Sequence, residues 1–243
     1  MTIDKKGNVK ASEIVEGIIR STHKMTYSEV GKILNNDEEM CKKYTLVKDM
    51  VYLFAELTHI LQTMRNKKGN ISLDVKEAKI ILENDEIKIP DYEREFSYQI
   101  IEAFMVLANE TVAEYMRSIE APFIYRIHEE PKEDKIGRFI SILNNFNYEF
   151  KVKGKTSKAM SKALQEVLIE LESEENDIQK TIINNTLLRS MMKAKYLETN
   201  LGHYGLASDC YTHFTSPIRR YPDLLVHRLV KHYMLNKPQV NYE

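Results

Sequence analysis

The sequence predicts a helix-rich α+β fold with a small mixed or antiparallel sheet. Two long apolar stripes recur at helical spacing in the first half of the chain. Three further helical stretches crowd the second half. Between them lie short runs of β-type residues bounded by polar turns.

Taken in order, Met1–Asp4 and Ala11–Arg20 read as strands around a turn at Lys6-Gly7-Asn8. Thr26 and Glu29 form a capping box, in which hydroxyl and carboxylate satisfy the free amides of a helix start. Val47, Met50, Val51, Phe54, Leu57, Leu61 and Met64 then define a long amphipathic helix that stops at the basic Arg65–Gly69. Ile71–Val75, Ala78–Leu82 and Ile87–Ile89 read as strands. Phe96, Ile100, Phe104, Leu107, Thr111 and Tyr115 mark a second long helix, Tyr92–Arg117, broken by Ala121-Pro122. Phe123–His128 is a strand. Helices are expected at Pro131–Asn145, Ser157–Glu172 and Asp177–Lys195, with Met191-Met192 as core. Pro222 opens a last helix through Leu235, since proline suits a first helical turn. No repeat or Gly/Ser linker divides the chain, so one unit is expected.

The chain has 243 residues, 43% hydrophobic and 29% charged, as expected of a globular protein. Cys41 and Cys210 match no metal or disulfide spacing, which points to a reduced, cytoplasmic setting. The polar start and the lack of a long apolar run argue against a secretory leader or a membrane span. The formal net charge is -1. That balance argues weakly against nucleic-acid binding, but it hides an asymmetry. Arg189 to Lys237 carries eight basic residues against three acids, whereas Glu166 to Asp177 carries six acids and no base. A local basic surface is therefore expected.

The densest chemistry lies in Gly202–Asp223, GHYGLASDCYTHFTSPIRRYPD. Arg219 and Arg220 sit between Ser216-Pro217 and Tyr221-Pro222. Two permanently charged forks on a proline-bounded loop suit a phosphate. The competing reading is a buried salt bridge from one arginine, with Asp223 as its partner. His203 and His213 lie ten apart with Cys210 between them, and nothing supplies further ligands for zinc. His23, His59, His128, His227 and His232 read as locally bonded or surface residues.

These residues carry a resemblance. HYGLA at His203–Ala207 and YTHFTSPIRRYPDLLVHR at Tyr211–Arg228 resemble the signature of the ribonuclease II / ribonuclease R family, built on the RNB catalytic domain. MTY at Met25–Tyr27, EAKIIL at Glu77–Leu82, IIEAFMVLANETVAEY at Ile100–Tyr115, PFIYRIHEEP at Pro122–Pro131 and LLRSMMKAKY at Leu187–Tyr196 agree in the same order. The likeness covers nearly the whole chain and leans to the ribonuclease R branch.

The resemblance implies a processive, magnesium-dependent 3′→5′ exoribonuclease that releases nucleoside 5′-monophosphates from single-stranded RNA. It implies that Arg219 positions or stabilises the scissile phosphate. Arg220 is a structural residue or a backbone contact, and His213 joins the RNA-binding residues. Tyr27 contacts RNA near its 3′ end; its alternative is a half-buried tyrosine at a helix start. The family's stacking phenylalanine is replaced by Leu73, which can pack against a base but not stack on it as a ring does.

The largest departure concerns the metal. The family holds magnesium with closely spaced aspartates upstream of the matching region, but no two of the ten aspartates here lie closer than six residues apart. The flanking OB-type domains and a family glutamate after the last helix are also missing. Met1 falls where the family chain is already mid-domain. The expectation is therefore the C-terminal part of an RNB domain, from a truncated gene, a split reading frame or an excised fragment. It would be inactive alone, with no metal ligands of its own, and a companion chain would carry the aspartates. The alternative is a non-catalytic RNA- or partner-binding fragment, or a degenerate gene product.

Overall fold

In the computed structural model, residues 1–71, 81–83, 86–88, 95–154, 156–174 and 176–236 are described. The chain opens with β1 (Thr2–Ile3) and β2 (Val9–Ala11), which pair antiparallel. Their turn is held by Asp4, whose Oδ1 accepts the amides of Lys6 and Asn8 at 2.9 Å each. The strand expected over Ala11–Arg20 ends at Ala11. Beyond it the chain runs without regular structure, and Ile18 and Ile19 are almost fully exposed. No backbone partner lies beside this stretch among the described residues, and a strand needs one to satisfy its amides.

The capping box forms as expected. Thr26 Oγ1 accepts the Glu29 amide at 3.2 Å, and Glu29 Oε2 accepts the Thr26 amide at 2.8 Å. It starts α1 (Tyr27–Leu34). A short α2 (Glu38–Lys43), not foreseen in the sequence, follows under the Asp37 cap. Its acids at the start and lysines at the end match the helix dipole. Helix α3 (Lys48–Lys68) then stops at Gly69, whose φ of 98° is the left-handed cap that glycine allows. Strands β3 (Ile81–Glu83) and β4 (Glu86–Lys88) form a hairpin. The rest of the strands expected between Ile71 and Ile89 lies outside the described residues.

Helix α4 (Phe96–Ser118) is the spine of the molecule. It packs along α3 on one side and presents Val112, Ala113 and Met116 to a core on the other. After β5 (Tyr125–Ile127) come α5 (Glu133–Asn145), α6 (Ser157–Glu172) and α7 (Asp177–Ser190). These three close on Phe139, Leu143, Leu164, Leu171, Ile183 and Leu187, each at most 1% exposed. Burying each such side chain is worth about 1.5–3 kcal/mol, so this layer is a main source of the fold's stability.

Helix α7 is shorter than the Asp177–Lys195 expected. Met191 turns to φ -69°, ψ 152°, and Lys195–Leu197 become β6, antiparallel to β5. The pairing with β5 gives those backbone groups ladder partners that one more helical turn would not place there. Helix α8 (Tyr221–Asn236) closes the chain and buries Val226 and Val230 against α4 and β5. Among the described residues the sheets are three antiparallel pairs. No described helix is long and apolar enough to cross a membrane.

Candidate nucleic-acid interface

Strand β5 organises the site. One edge pairs with β6, placing Arg126 opposite Tyr196. Along the other runs the Gly202–Asp223 stretch. The Arg126 amide bonds to the Tyr211 carbonyl at 2.8 Å, and the Thr212 hydroxyl to the Ile124 carbonyl at 2.7 Å. Further along, the His128 amide donates to Gly202 and the Tyr204 amide to His128.

Two histidines set the beginning of this stretch. His203 caps a single 3-10 turn, Tyr204–Leu206, by accepting the Leu206 amide on Nδ1. His128 accepts the Gly205 amide on Nδ1 at 2.9 Å, which leaves Nε2–H to donate to the Met192 carbonyl at 2.7 Å. Burial, foremost, pushes the His203 pKa down to about 3 and lowers that of His128 as well. Both rings are therefore neutral struts. Burial pushes the Cys210 thiol up to about 12, so it is a core residue, not a nucleophile.

The arginine loop is tied at both ends. Asn109, only 2% exposed in the middle of α4, accepts the amides of Phe214 and Thr215 on Oδ1 at 2.9 and 3.2 Å. Its Nδ2 donates to the Tyr211 hydroxyl at 3.0 Å. Asp223, fully buried in the first turn of α8, accepts the Ser216 amide at 2.7 Å. His227 lies flat on Phe214, centroids 3.9 Å apart, with Nε2 2.9 Å from the Phe214 carbonyl.

From this frame the tip projects into solvent: Ile218 and Arg219 are exposed, and Arg220 is half-buried. Neither arginine makes an ion pair among the described residues. The salt bridge to Asp223 weighed from the sequence is therefore absent there; the near oxygen of that carboxylate holds the Ser216 amide instead.

Tyr27, 39% exposed at the start of α1, stacks on Tyr98 with centroids 3.8 Å apart and planes 17° apart. Tyr98 and Asn109 are on the same helix, so the stack sits about 16 Å along α4 from the arginine loop. One helix thus braces both candidate contacts, Tyr27 through Tyr98 and the arginine loop through Asn109. Leu73 lies outside the described residues. His213 is half-buried, with Nδ1 2.7 Å from the Tyr196 hydroxyl. Burial first, then the Arg220 charge, pushes its pKa down to about 4.

The sequence reading missed Asn109, Arg126 and Tyr196. A signal for Asn109 was present: it shares a helical face with Val106, Val112 and Ala113, and a polar residue in an apolar stripe must be bonded. Arg126 and Tyr196 had no such signal, because only strand register brings them together. A cleft of about 650 Å³ beside His128 and His203 is lined by Lys68 and Lys158 but also by Glu129, Glu130 and Asp209. Its mixed charge gives no phosphate preference.

The site is a helical scaffold that presents two arginines, without ion pairs among the described residues, on a loop tied to a strand. The chain belongs to the RNB domain family, whose model matches residues 1–236. It is 42% identical over 233 residues to ribonuclease R 1 of Lactococcus lactis, covering 95% of this chain and 28% of that protein. It is 37% identical to ribonuclease R of Aquifex aeolicus over 247 residues, covering 100% of this chain and 34% of that one. Among solved structures it is similar to Mycoplasma genitalium RNase R in complex with ribose-methylated single-stranded RNA. There the TM-score is 0.74 and the identity 31%, over 88% of this chain and 33% of the other. The chain thus spans about a third of the length of these relatives.

Proposed function

We propose that this chain is the arginine-bearing part of an RNB catalytic domain. It serves hydrolytic 3′→5′ degradation of single-stranded RNA to nucleoside 5′-monophosphates. One observation carries the reading: Arg219 is an exposed guanidinium on a braced loop, without an ion pair among the described residues, in a chain of this family. Arg219 forks onto the oxygens of the scissile phosphate and offsets the charge that builds there in the transition state. Arg220 supports a neighbouring backbone contact. Tyr27, held flat by Tyr98, offers its open face to a base near the 3′ end. Leu73 and His213 complete the RNA-contacting set. That a structural relative holds single-stranded RNA supports RNA as the ligand.

Magnesium is the cofactor that the family's hydrolysis implies. The described residues do not fit it: no group of three or more His, Cys, Asp or Glu among them could hold a metal ion. We propose that an aspartate-bearing companion, in the same polypeptide or another, completes the site. The bare Val15, Ile18 and Ile19, 70% to 103% exposed, support such a covering partner. Both cysteines are free, which accords with a cytoplasmic setting.

The test is release of nucleoside monophosphates from single-stranded RNA with magnesium. The chain alone is expected to release almost none. Adding a polypeptide that bears the family's aspartate segment restores hydrolysis, and Arg219→Ala removes it. Robust Arg219-dependent hydrolysis by the chain alone overturns the divided-site reading. The same exposed aliphatic run favours a second reading, a non-catalytic RNA- or partner-binding piece. Salt-dependent RNA binding weakened by Arg219→Ala and Arg220→Ala, without hydrolysis even when the aspartate segment is supplied, selects it.

A further inference from the structure

Two cations sit on successive pairs of the β5–β6 ladder, on opposite faces, and they are treated differently. Lys195, opposite Ile127, is paired with Glu129 at 2.8 Å. Arg126, opposite Tyr196 one step along, has no ion pair among the described residues. Its guanidinium instead lies over the Tyr196 ring, 4.6 Å from the centroid. A cation–π contact holds a guanidinium flat without cancelling its charge, so the N–H fork stays free for an anion.

Tyr196 is itself braced. Its hydroxyl meets His213 Nδ1 at 2.7 Å, and Tyr211 abuts the far side of His213 edge-on, centroids 5.7 Å apart. Arg126, Tyr196, His213 and Tyr211 thus form one wall, and Asn109 bonds its Tyr211 end. His213 lies three residues before Ser216, where the arginine loop begins, and besides burial the charges of Arg220, Arg126 and Arg219 lower its pKa. Burial, foremost, raises the Tyr196 pKa, so its hydroxyl stays protonated beside His213 Nδ1. Among the described residues Asp223 is the acid whose field reaches both rings, and one of its oxygens is engaged by Ser216. Arg126, Arg219 and Arg220 each act on His213, and none of the three makes an ion pair among the described residues.

We propose that Arg126, aligned by Tyr196 and His213, is a second phosphate-binding residue for single-stranded RNA. It takes a backbone phosphate other than the one held by Arg219. The inference rests on the RNA-binding reading above and adds a subsite to it.

Binding of a fluorescein-labelled oligoadenylate to the whole chain, read by anisotropy across about 50–200 mM KCl, tests it. Arg126→Ala is expected to weaken binding roughly tenfold at low salt. It should also flatten the slope of log K against log[salt] by about 0.7, the value for one single-strand phosphate contact. Arg126→Gln keeps the strand and the stem and should behave alike, so a folding defect in the alanine variant leaves the test intact. Tyr196→Leu keeps every charge, so affinity falls while the slope holds. If Arg219→Ala weakens binding but Arg126→Ala and Arg126→Gln leave affinity and slope unchanged, the second subsite is wrong and the RNA reading stands. If no arginine variant alters binding, or the chain binds no RNA, both are overturned.

Discussion

The Oδ1 atom of Asn109 accepts the backbone amide of Phe214 at 2.9 Å, tying the middle of α4 to the loop that carries Arg219. The same oxygen takes the Thr215 amide, and the side-chain amide donates to Tyr211. Asn109→Ala strands all three groups where water reaches them poorly. A loss of about 2–4 kcal/mol is expected. For a chain of this size that lowers Tm by roughly 4–15 °C. Thermal melting checks it. RNA affinity should fall in the conditions where the variant is still folded, because the arginine loop loses its brace before the core does.

Gly205 is expected to resist substitution for a reason of space. A Cβ there would lie 3.0 Å from His128 Nδ1, the atom that accepts the Gly205 amide. The ring is pinned on its other side by the Met192 carbonyl and cannot withdraw freely. Gly205→Ala should cost about 1–3 kcal/mol. It should also speed hydrogen exchange at Gly205 and Tyr204 more than in α5. Wild-type exchange and stability in this variant would show that the His128 contact is not binding.

The histidines make stability pH-dependent. His203 is held down to about 3 and His213 to about 4, against an ordinary 6.5, with burial the leading cause for both. In the fold both stay neutral, while below about pH 6.5 the unfolded chain takes up protons. Their contribution is whole above pH 6.5 and is lost as pH falls, towards about 4 for His213 and about 3 for His203. With solvent screening allowed for, roughly 2 kcal/mol should disappear between pH 7 and pH 5. The urea midpoint at the two pH values reads this. His203→Asn, which keeps a capping oxygen, should flatten the dependence.

Thr26 controls Tyr27 through the helix start. Thr26→Ala removes the hydroxyl that accepts the Glu29 amide and should cost about 1 kcal/mol. A frayed first turn also frees Tyr27 from its stack on Tyr98. The chain has no tryptophan, so near-UV circular dichroism reports on its tyrosines directly. Loss of tyrosine signal with little change in the far-UV spectrum is expected. An unchanged near-UV spectrum would mean that the stack does not depend on the cap.

Much of the helical frame was legible because its causes are local. The Thr26 cap, the Gly69 stop and the stripes of α3, α4 and α6 each depend on residues within one or two turns. The Arg219-Arg220 loop could likewise be read from its bounding prolines. Where a partner from far along the chain decides the outcome, the same reading fails. Residues 12–20 look like a strand but find no edge among the described residues, whereas Lys195–Leu197 extend the pattern of α7 yet pair with β5.

The sequence by itself determined the long helices α3, α4 and α6, the proline-bounded pair of arginines and the family likeness. All of these follow from spacing and residue type along a continuous stretch. Only the tertiary structure decided which charges are free. Asp223 turns its carboxylate to the Ser216 amide, and Glu129 neutralises Lys195. The register of β5 against β6 sets Arg126 on Tyr196, so that it joins Arg219 and Arg220 beside His213. The reason is physical. Whether a charge is cancelled or left for a ligand depends on what lies within a few ångströms, and contacts across scores of residues are set by how the elements pack.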